Sequence, residues 1–422
     1  MRGSDQVKRM SRRAVVGVLL AGVLGVTTAC SGKDPLWKND GDQGPQDKGP
    51  KITATVSAPA ADAKDVPASQ EIEYTTQNAT SATVAVADAS GKAVTGELRP
   101  GTTTWVPASA LAYATTYTVT VTATGAEGKS AKTTSNFTTM AKPQNTVRAQ
   151  TNVGDDMVVG VGMPMVVNFD RAIPKDVRDD VQKRMWVTTT PPQEGIWHWF
   201  SDKEVHYRPK NFWAANTKMN FRIGFGGLPL GGGYYGRADL TVVASTTDAF
   251  VMTIDNATHM MTVTKNGQVV RTIPVSLGRP SMPSSSGTTV IMFKERKTVF
   301  NTMTDPNPAN RYITPIDFAQ RITWGGEYIH AAPWSEGQQG HTNVSHGCVN
   351  VSMANAEWLF NNTKVGDPVT TKGTGRELQY GNGWTDWSMT WDEYVKGSAI
   401  PYAPPVAAAP STAPSAGASP GN

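Results

Sequence analysis

Short runs in which polar and apolar residues alternate recur from residue 52 to residue 275, and they constrain the fold of this 422-residue chain more than any other feature. Tyr117–Ala123 is the clearest of them, because Thr alternates there with Val or Ala at a period of two. Such runs, rich in β-branched residues and separated by Gly- and Pro-containing turns, are typical of half-buried β-strands. The chain is therefore predicted to be mainly β.

The distribution of these runs predicts two β-sandwiches followed by a third β-rich domain. The first sandwich occupies residues 51–141, the second residues 142–245, and the third domain residues 246–372. Asn266-Gly267 in the third domain is a strong signal for a two-residue β-hairpin. Short helices are predicted at Pro174–Lys183 and Met353–Asn361. The predicted strands are Ile52–Ser57, Ser81–Ala87, Tyr117–Ala123, Lys132–Thr138, Met165–Phe169, Met185–Thr190, Ile196–Phe200, Glu204–Tyr207, Met219–Phe225, Phe250–Asp255, Met260–Lys265 and Val269–Val275.

Aromatic residues mark the segment that follows the third domain. Residues 373–403 are predicted to fold back onto that domain through one helix face, because aromatic side chains recur at spacings of 3, 4 and 3 in Trp384, Trp387, Trp391 and Tyr394. Residues 404–422 are mostly Ala, Pro and Ser without periodicity and are predicted to be disordered. Four tryptophans of the second sandwich are predicted to pack in its core or against the next domain, which is favoured over their lining a binding face. They are Trp186, Trp197, Trp199 and Trp213.

The N-terminus has the features of an export signal over residues 1–29. A basic stretch ends at Arg13, and Ala14–Ala29 is an uncharged, mostly apolar run of 16 residues. A membrane-spanning helix needs about 20 such residues, so the run fits the apolar part of a signal peptide better. Ser11-Arg12-Arg13 resembles a twin-arginine signal, which leaves the export route open. A buried core helix is the alternative interpretation, and no polar face supports it.

Cys30 ends the sequence Thr27-Thr28-Ala29-Cys30, which resembles a bacterial lipobox. Cleavage before Cys30 and its acylation would make the protein a lipoprotein anchored in a membrane. Residues 30–50 are polar, rich in Gly, Pro and Asp, and predicted to form a flexible tether. The predicted location is therefore the outer face of the cytoplasmic membrane or the cell wall.

The net charge of +4 does not indicate a nucleic-acid partner. All of it arises within the predicted signal peptide, from Arg2, Lys8, Arg9, Arg12 and Arg13 against Asp5. The rest of the chain has equal numbers of basic and acidic residues. Because nucleic-acid binding needs a basic surface on the folded body, no partner of this class is predicted.

Cys348 is the single thiol that remains if Cys30 carries a lipid. A thiol without a disulfide partner in an oxidising compartment is either buried and inert or chemically used. Three of the six histidines, His330, His341 and His346, lie within 18 residues of it. A nearby imidazole can remove the proton of a thiol, whose ordinary pKa is about 8.5, and return it to a leaving amine. The pattern therefore indicates cysteine acyl transfer.

Two other interpretations of this cluster are weaker. A free cysteine often acts as a small buried apolar residue, but three flanking histidines argue against that. Histidines and a cysteine can also bind zinc, but the short two-ligand spacings of structural sites and an HExxH motif are both missing. No metal ion and no organic cofactor is therefore expected.

His330, fourteen further residues and then Ser345-His346-Gly347-Cys348-Val349-Asn350 resemble the signature of the L,D-transpeptidases, cysteine enzymes that cross-link bacterial peptidoglycan. The similarity extends over most of the chain. Three further parts resemble those of actinobacterial members: the strands around Asn266-Gly267 and Pro274–Gly278, the two sandwiches, and the aromatic C-terminal segment. The resemblance implies two immunoglobulin-like β-sandwich domains followed by a β-rich L,D-transpeptidase catalytic domain with short helices.

The resemblance also implies site roles by position. Cys348 would be the nucleophile, His330 the general base, and the backbone carbonyl of Ala331 the group that orients the imidazole. The backbone N–H groups of Gly347 and Cys348 would form an oxyanion hole. His346 is included in the catalytic set and helps to shape the nucleophile loop. The implied substrate-binding residues are Tyr312 in a lid at Asn301–Thr323, Trp334, His341, Ser345 and Asn350.

The implied reaction has two steps. Cys348 attacks the bond between a diamino acid and the terminal D-Ala of a tetrapeptide stem, and an amine of a neighbouring stem then takes the acyl group to form a 3-3 cross-link. Donor and acceptor stems of peptidoglycan are the predicted partners, carbapenem-type β-lactams are expected to acylate the same thiol, and the chain is predicted to be a monomer. An L,D-carboxypeptidase, with water as acceptor, and a non-catalytic cell-wall-binding lipoprotein are the alternatives.

Overall fold

Residues 50–403 are described by the computed structural model of this protein. The predicted signal peptide, Cys30, the tether up to residue 49 and the tail from residue 404 lie outside them. The described part is mainly β, as the alternation predicts, and its strands form three groups along the chain. Within this range, no helix has both the length and the apolar character needed to cross a membrane.

Eight strands rich in Thr and Val form the first sandwich. They are β1 Thr53–Ala58, β2 Ala63–Val66, β3 Ile72–Gln77, β4 Ser81–Asp88, β5 Gly96–Leu98, β6 Thr104–Pro107, β7 Thr116–Thr124 and β8 Ser130–Thr139. Two sheets, in the orders β1-β3-β6-β5 and β2-β8-β7-β4, enclose a core that includes Val119 and Phe137. The Tyr117 hydroxyl accepts a hydrogen bond from the Ala112 N–H (2.9 Å), which fixes the loop before β7 in the manner of a tyrosine corner.

The second sandwich has larger aromatic residues in its core. Its strands are β9 Thr146–Val147, β10 Ala149–Thr151, β11 Val158–Val159, β12 Met165–Phe169, β13 Met185–Thr190, β14 Gly195–Trp199, β15 Glu204–Pro209, β16 Lys218–Ile223, β17 Tyr235–Gly236 and β18 Leu240–Thr246. A 3₁₀ turn at Lys175–Val177 continues into helix α1, Arg178–Gln182. Core packing is confirmed for Trp197, Trp199 and Trp213, which are all buried.

The third domain packs two sheets around one apolar core. Its strands are β19 Phe250–Asp255, β20 Met260–Lys265, β21 Gln268–Pro274, β22 Gly287–Val290, β23 Phe293–Asn301, β24 Ile313–Arg321, β25 Tyr328–Ala331, β26 Val349–Val351 and β27 Pro368–Lys372. The sheet orders are β21-β20-β19-β27-β22 and β23-β24-β25-β26. Helix α2, Met353–Asn362, begins at the N-cap Ser352, and 3₁₀ turns lie at Pro308–Asn310 and Pro333–Ser335. Asn266 and Gly267 both have positive φ, as a two-residue hairpin turn requires.

The prediction of one long aromatic helix in the C-terminal segment is wrong. A 3₁₀ turn at Asp386–Ser388 is followed by extended backbone at Met389 and by a separate short helix, α3, Trp391–Tyr394, which a 3₁₀ turn at Val395–Gly397 extends. Thr390 and Glu393 form a capping box, in which each side chain bonds the other residue's backbone N–H. The N-cap residue of a helix has non-helical backbone angles, and here that residue is Thr390. A helix therefore cannot continue through Thr390, and a new one starts at Trp391.

The C-terminal segment contacts the second sandwich as well as the third domain. On the third domain, the Asn382 side chain accepts a hydrogen bond from the Gly325 N–H (2.7 Å). On the second sandwich, the carboxylate of Asp386 lies 3.0 Å from Nδ1 of His206, and both side chains are fully buried. Burial alone would lower the pKa of His206, but Asp386 raises it to about 9. Packing on the third domain, as predicted, therefore accounts for only part of the contacts of this segment.

Candidate active site

The parallel pair of strands β25 and β26 brings the histidine and the cysteine of the signature together. His330 lies opposite Asn350 in the register of this pair, and Cys348 comes directly before β26. Because side chains alternate along a strand, positions 348 and 350 share a sheet face with positions 328 and 330. The thiol and the imidazole consequently line the same cavity, although they are 18 residues apart in the chain.

His330 is buried and has a fixed tautomer. Its Nδ1 lies 2.8 Å from the backbone carbonyl oxygen of Ala331. A carbonyl oxygen only accepts, so Nδ1 carries the proton and Nε2 keeps a lone pair. Burial lowers the pKa of His330 to about 4, which keeps the imidazole neutral near pH 7. The Phe300 ring packs nearly perpendicular to it, with ring centroids 5.2 Å apart. A neutral imidazole with one available lone pair can act as a general base.

Cys348 is almost completely buried at the floor of the cavity, with 8% of its surface exposed. Its Sγ lies 3.7 Å from the carbonyl oxygen of Gly326, to which the thiol donates. Burial raises the pKa of the Cys348 thiol to about 12, although the backbone N–H of Tyr328 opposes this. The negative charge of Glu327 raises it further. The thiol is therefore protonated at rest and needs a base before it can act as a nucleophile.

The nucleophile loop, Ser345–Cys348, is held by its own serine. The Ser345 hydroxyl donates to the Cys348 carbonyl (2.7 Å) and accepts from the Gly347 N–H (3.1 Å). The Gly347 N–H, one of the two donors predicted for an oxyanion hole, is thus bonded to Ser345 in this structure. Among the contacts of residues 50–403, the Cys348 N–H has no acceptor. Gly347 has φ of +125°, a backbone conformation that favours glycine.

His346 has a different environment from His330. Arg279 donates from Nη1 to its Nε2 (2.9 Å) and from Nη2 to the side-chain oxygen of Asn310 in the lid (2.9 Å). Burial and the neighbouring guanidinium lower the pKa of His346. The ring of Tyr312 packs on the His346 ring, with centroids 5.1 Å apart. His346 therefore connects the nucleophile loop to the lid.

The predicted lid, Asn301–Thr323, comprises the last residue of β23, the turn that follows it and strand β24. Beneath it lies a cavity of about 590 Å³, and a second recess of about 410 Å³ also reaches Cys348. The predicted substrate-binding residues that line the larger cavity are Tyr312, Trp334, Ser345 and Asn350. His341 is exposed and does not line either space. Among residues 50–403, no group of three or more His, Cys, Asp or Glu side chains is arranged to hold a metal ion.

Two serines that support the site, Ser335 and Ser284, had no signal in the sequence. The buried Ser335 hydroxyl accepts a hydrogen bond from the Asn350 side chain (3.1 Å), which positions the turn that carries Trp334. Ser284 donates to the carbonyl of Gly347 (2.7 Å). These contacts join segments that are far apart in the chain, and a serine at any one position is too common to indicate them.

Comparison with known proteins gives two family matches. Residues 249–370 match the family described as "L,D-transpeptidase catalytic domain", and residues 63–228 match the family described as "Bacterial Ig domain". The second match spans parts of both sandwiches.

The chain is also similar to curated proteins over most of its length. It is 34% identical over 354 residues to L,D-transpeptidase 2 of Mycobacterium tuberculosis (strain CDC 1551 / Oshkosh), and the aligned region covers 83% of this chain and 85% of the relative. It is 32% identical over 407 residues to L,D-transpeptidase 5 of Mycobacterium tuberculosis (strain ATCC 25618 / H37Rv), and the aligned region covers 94% of this chain and 87% of that relative. A solved structure of the LD transpeptidase LdtMt1 in complex with imipenem is 34% identical, covers 55% of this chain and 100% of that one, and has a TM-score of 0.47.

Proposed function

This chain belongs to the L,D-transpeptidase family, and we propose that it cross-links peptidoglycan stem peptides through a thioester on Cys348. The observation that carries this proposal is the pairing of a buried thiol with a neutral histidine on one sheet face. The contact of Nδ1 with the Ala331 carbonyl holds His330 in the tautomer whose Nε2 can accept the thiol proton.

In the first step, the Cys348 sulfur attacks the carbonyl carbon that joins the diamino acid of a tetrapeptide stem to its terminal D-Ala. The thiol proton moves to Nε2 of His330 as the S–C bond forms, since neither a thiolate nor an imidazolium is stable in these buried positions. The Cys348 N–H stabilises the oxyanion. The C–N bond then breaks, His330 gives the proton to the departing amine of D-Ala, and a thioester remains.

In the second step, an amine of a neighbouring stem attacks the thioester. His330 takes a proton from this amine and returns it to the sulfur when the C–S bond breaks, so the resting enzyme is restored with one new amide bond. The two recesses that meet at Cys348 support a reaction with two peptide substrates, since each can hold one chain while the thiol lies between them.

The purified protein with a disaccharide-tetrapeptide provides the test of this reaction. Mass spectrometry is expected to show loss of D-Ala together with a cross-linked dimer. Release of D-Ala with only the shortened monomer would instead identify an L,D-carboxypeptidase. An unchanged substrate would contradict both activities.

The charge of the larger cavity indicates what part of the stem it binds. Among the described residues that line it, Arg311 is the one permanent cation and no carboxylate is present. Its Nε donates to the Asp305 carbonyl (2.7 Å) and Nη2 to the Pro306 carbonyl (3.4 Å), so other N–H groups of the guanidinium remain for a ligand. A lone cation favours a carboxylate ligand. We assign to Arg311 the carboxylate of the terminal D-Ala, which lies next to the attacked bond.

The Arg311→Gln variant should raise KM for the tetrapeptide by about tenfold, the value of one charge-assisted hydrogen bond, and should leave kcat within about twofold. Arg311→Lys keeps the charge and should recover part of the loss. Arg237→Gln removes an exposed guanidinium from the second sandwich and is the matched control. Steady-state kinetics with each protein measure these changes. An equal KM in Arg311→Gln and the control would show that Arg311 does not bind the carboxylate of the terminal D-Ala.

We further propose that the enzyme works outside the cytoplasm, anchored by a lipid on Cys30, which lies outside the described residues. The two sandwiches would then space the catalytic domain from the membrane. Cys30→Ala should move the protein from the membrane fraction to the soluble fraction, while the matched cysteine variant Cys348→Ala stays with membranes. Immunoblots of separated fractions measure this, and a membrane-bound Cys30→Ala protein would contradict the anchor.

A further inference from the structure

Glu327 is a buried carboxylate beside the nucleophile that the reaction described above does not use. Only 7% of its surface is exposed. Its oxygens accept hydrogen bonds from the Ser285 hydroxyl (2.8 Å) and the Ser285 N–H (3.2 Å), and Nη1 of Arg376 lies 3.6 Å away. The side chain also packs near Gly347, since a Cβ at that glycine would lie 3.6 Å from Cγ of Glu327. A buried charge held this closely is costly unless its partners compensate.

These contacts connect the carboxylate to the nucleophile loop through one short segment, Pro283–Ser286. Glu327 fixes Ser285, and the hydroxyl of the adjacent Ser284 donates to the carbonyl of Gly347 (2.7 Å). The same hydroxyl accepts from the Gly278 N–H (2.9 Å), so its direction is determined. The position of Gly347, the residue before the nucleophile, therefore depends on where this segment lies.

The C-terminal segment holds Pro283–Ser286 from the other side. The Arg376 guanidinium donates to the carbonyl of Pro283 (3.1 Å), and the Arg376 carbonyl accepts from the Ser286 N–H (2.7 Å). The Leu378 N–H donates to the Ser286 carbonyl (2.8 Å). Arg376 is thus both the ion-pair partner of Glu327 and a support for the segment that Glu327 fixes.

Burial raises the pKa of Glu327, while the hydrogen bonds from Ser285 and the charge of Arg376 oppose this and favour the charged form. In that form the carboxylate only accepts hydrogen bonds, so it can hold the hydroxyl and the N–H of Ser285 together. The contacts of Glu327 with Ser285 and Arg376 therefore support one another.

We propose that Glu327 is a positioning residue for the cysteine chemistry: its carboxylate fixes Pro283–Ser286 behind the nucleophile loop, and this segment holds Gly347 and Cys348 in the position for attack. The inference rests on the function proposed above, in which the Cys348 sulfur must reach the carbonyl carbon of the stem while His330 takes its proton.

Steady-state kinetics of the full chain with the disaccharide-tetrapeptide test this role. Ser285→Ala removes the hydroxyl that Glu327 holds, so kcat should fall several-fold while KM stays unchanged, since the cavity that binds the stem is not altered. Glu327→Ala removes the carboxylate and should lower kcat at least as much, whereas Glu327→Gln keeps an acceptor oxygen for Ser285 and should recover part of the loss. Glu357→Gln, on the exposed face of α2, should leave both constants unchanged.

Rescue by Glu327→Gln separates a positioning role from a merely structural one, and thermal melts report the folded fraction of each variant. An unchanged kcat in Ser285→Ala, or a kcat of Glu327→Ala equal to that of the wild type, would overturn the proposal. If Glu327→Ala fails to fold, Ser285→Ala still supplies the test. The wild type forms the cross-linked dimer in the same assay, so variants that do not differ from it leave the transpeptidase reaction itself unaffected.

Discussion

The Cys348→Ala variant should lose both D-Ala release and cross-link formation, by at least about 10⁴-fold in kcat. Both steps of the reaction pass through a bond to this sulfur, and Cys348 is the one thiol among residues 50–403. No other side chain in the cavity can replace it, because the hydroxyl of Ser345 is engaged with the Cys348 carbonyl and the Gly347 N–H. Product analysis of the disaccharide-tetrapeptide reaction by mass spectrometry measures the loss.

Two matched variants keep this prediction specific to the thiol. Cys348→Ser retains a hydroxyl of similar size and should be nearly as inactive, since a hydroxyl is a much weaker nucleophile than a thiol in this setting. Cys30→Ala, the other cysteine variant, should retain full activity on a soluble substrate. Activity of Cys348→Ala within about tenfold of the wild type would show that the nucleophile is another residue.

His330→Asn should lower kcat by about 10²- to 10⁴-fold, the usual contribution of a general acid–base group, with little change in KM. The side-chain amide of Asn can still donate to the Ala331 carbonyl, as Nδ1 of His330 does, but it cannot accept a proton from sulfur. The variant therefore removes the base without removing the contact that places it. Steady-state kinetics and a thermal melt distinguish loss of chemistry from loss of folding.

The pH dependence provides an independent check on His330. Its folded-state pKa is about 4, so the imidazole remains neutral and able to accept a proton until the pH falls close to that value. The acid limb of kcat/KM should consequently lie near pH 4 and not near 6.5, the ordinary value for histidine. The exposed His341 is the matched control, and His341→Asn should keep the activity and the profile of the wild type. An acid limb near 6.5 in the wild type would contradict a buried neutral base.

Local patterns in the sequence were sufficient to predict much of this fold. Phe250–Asp255 and Met260–Lys265 have the predicted bounds, and Asn266-Gly267 forms the predicted turn. Alternation and turn preference are properties of neighbouring residues, so no tertiary information is needed. Cys348 and His330 could be selected for a similar reason, since few residue types can supply a nucleophile and a base.

The remaining features depend on contacts that local patterns do not encode. Glu327 resembles any surface glutamate in the sequence, and only folding brings it to Ser285 and Arg376. The pairing of the Gly347 N–H with Ser345 depends on a side-chain rotamer in an irregular loop. The break before α3 is different, because Thr390 and Glu393 carry the capping-box signal in the sequence itself. The aromatic spacing concealed this signal, since the aromatic pattern runs across Thr390 and Glu393 without a break.

The most direct test of the central claim is the mass of Cys348 during turnover. Acid quenching of the enzyme with a tetrapeptide whose amines are acetylated, so that it cannot act as an acceptor, should trap the stem, without its D-Ala, as a thioester on the peptide that contains Cys348. Because the thioester is the intermediate shared by both steps, its mass should disappear when an acceptor stem is added and the cross-linked product forms. D-Ala release from an active enzyme with an unmodified Cys348 at every time point, or with the adduct on another residue, would contradict the account.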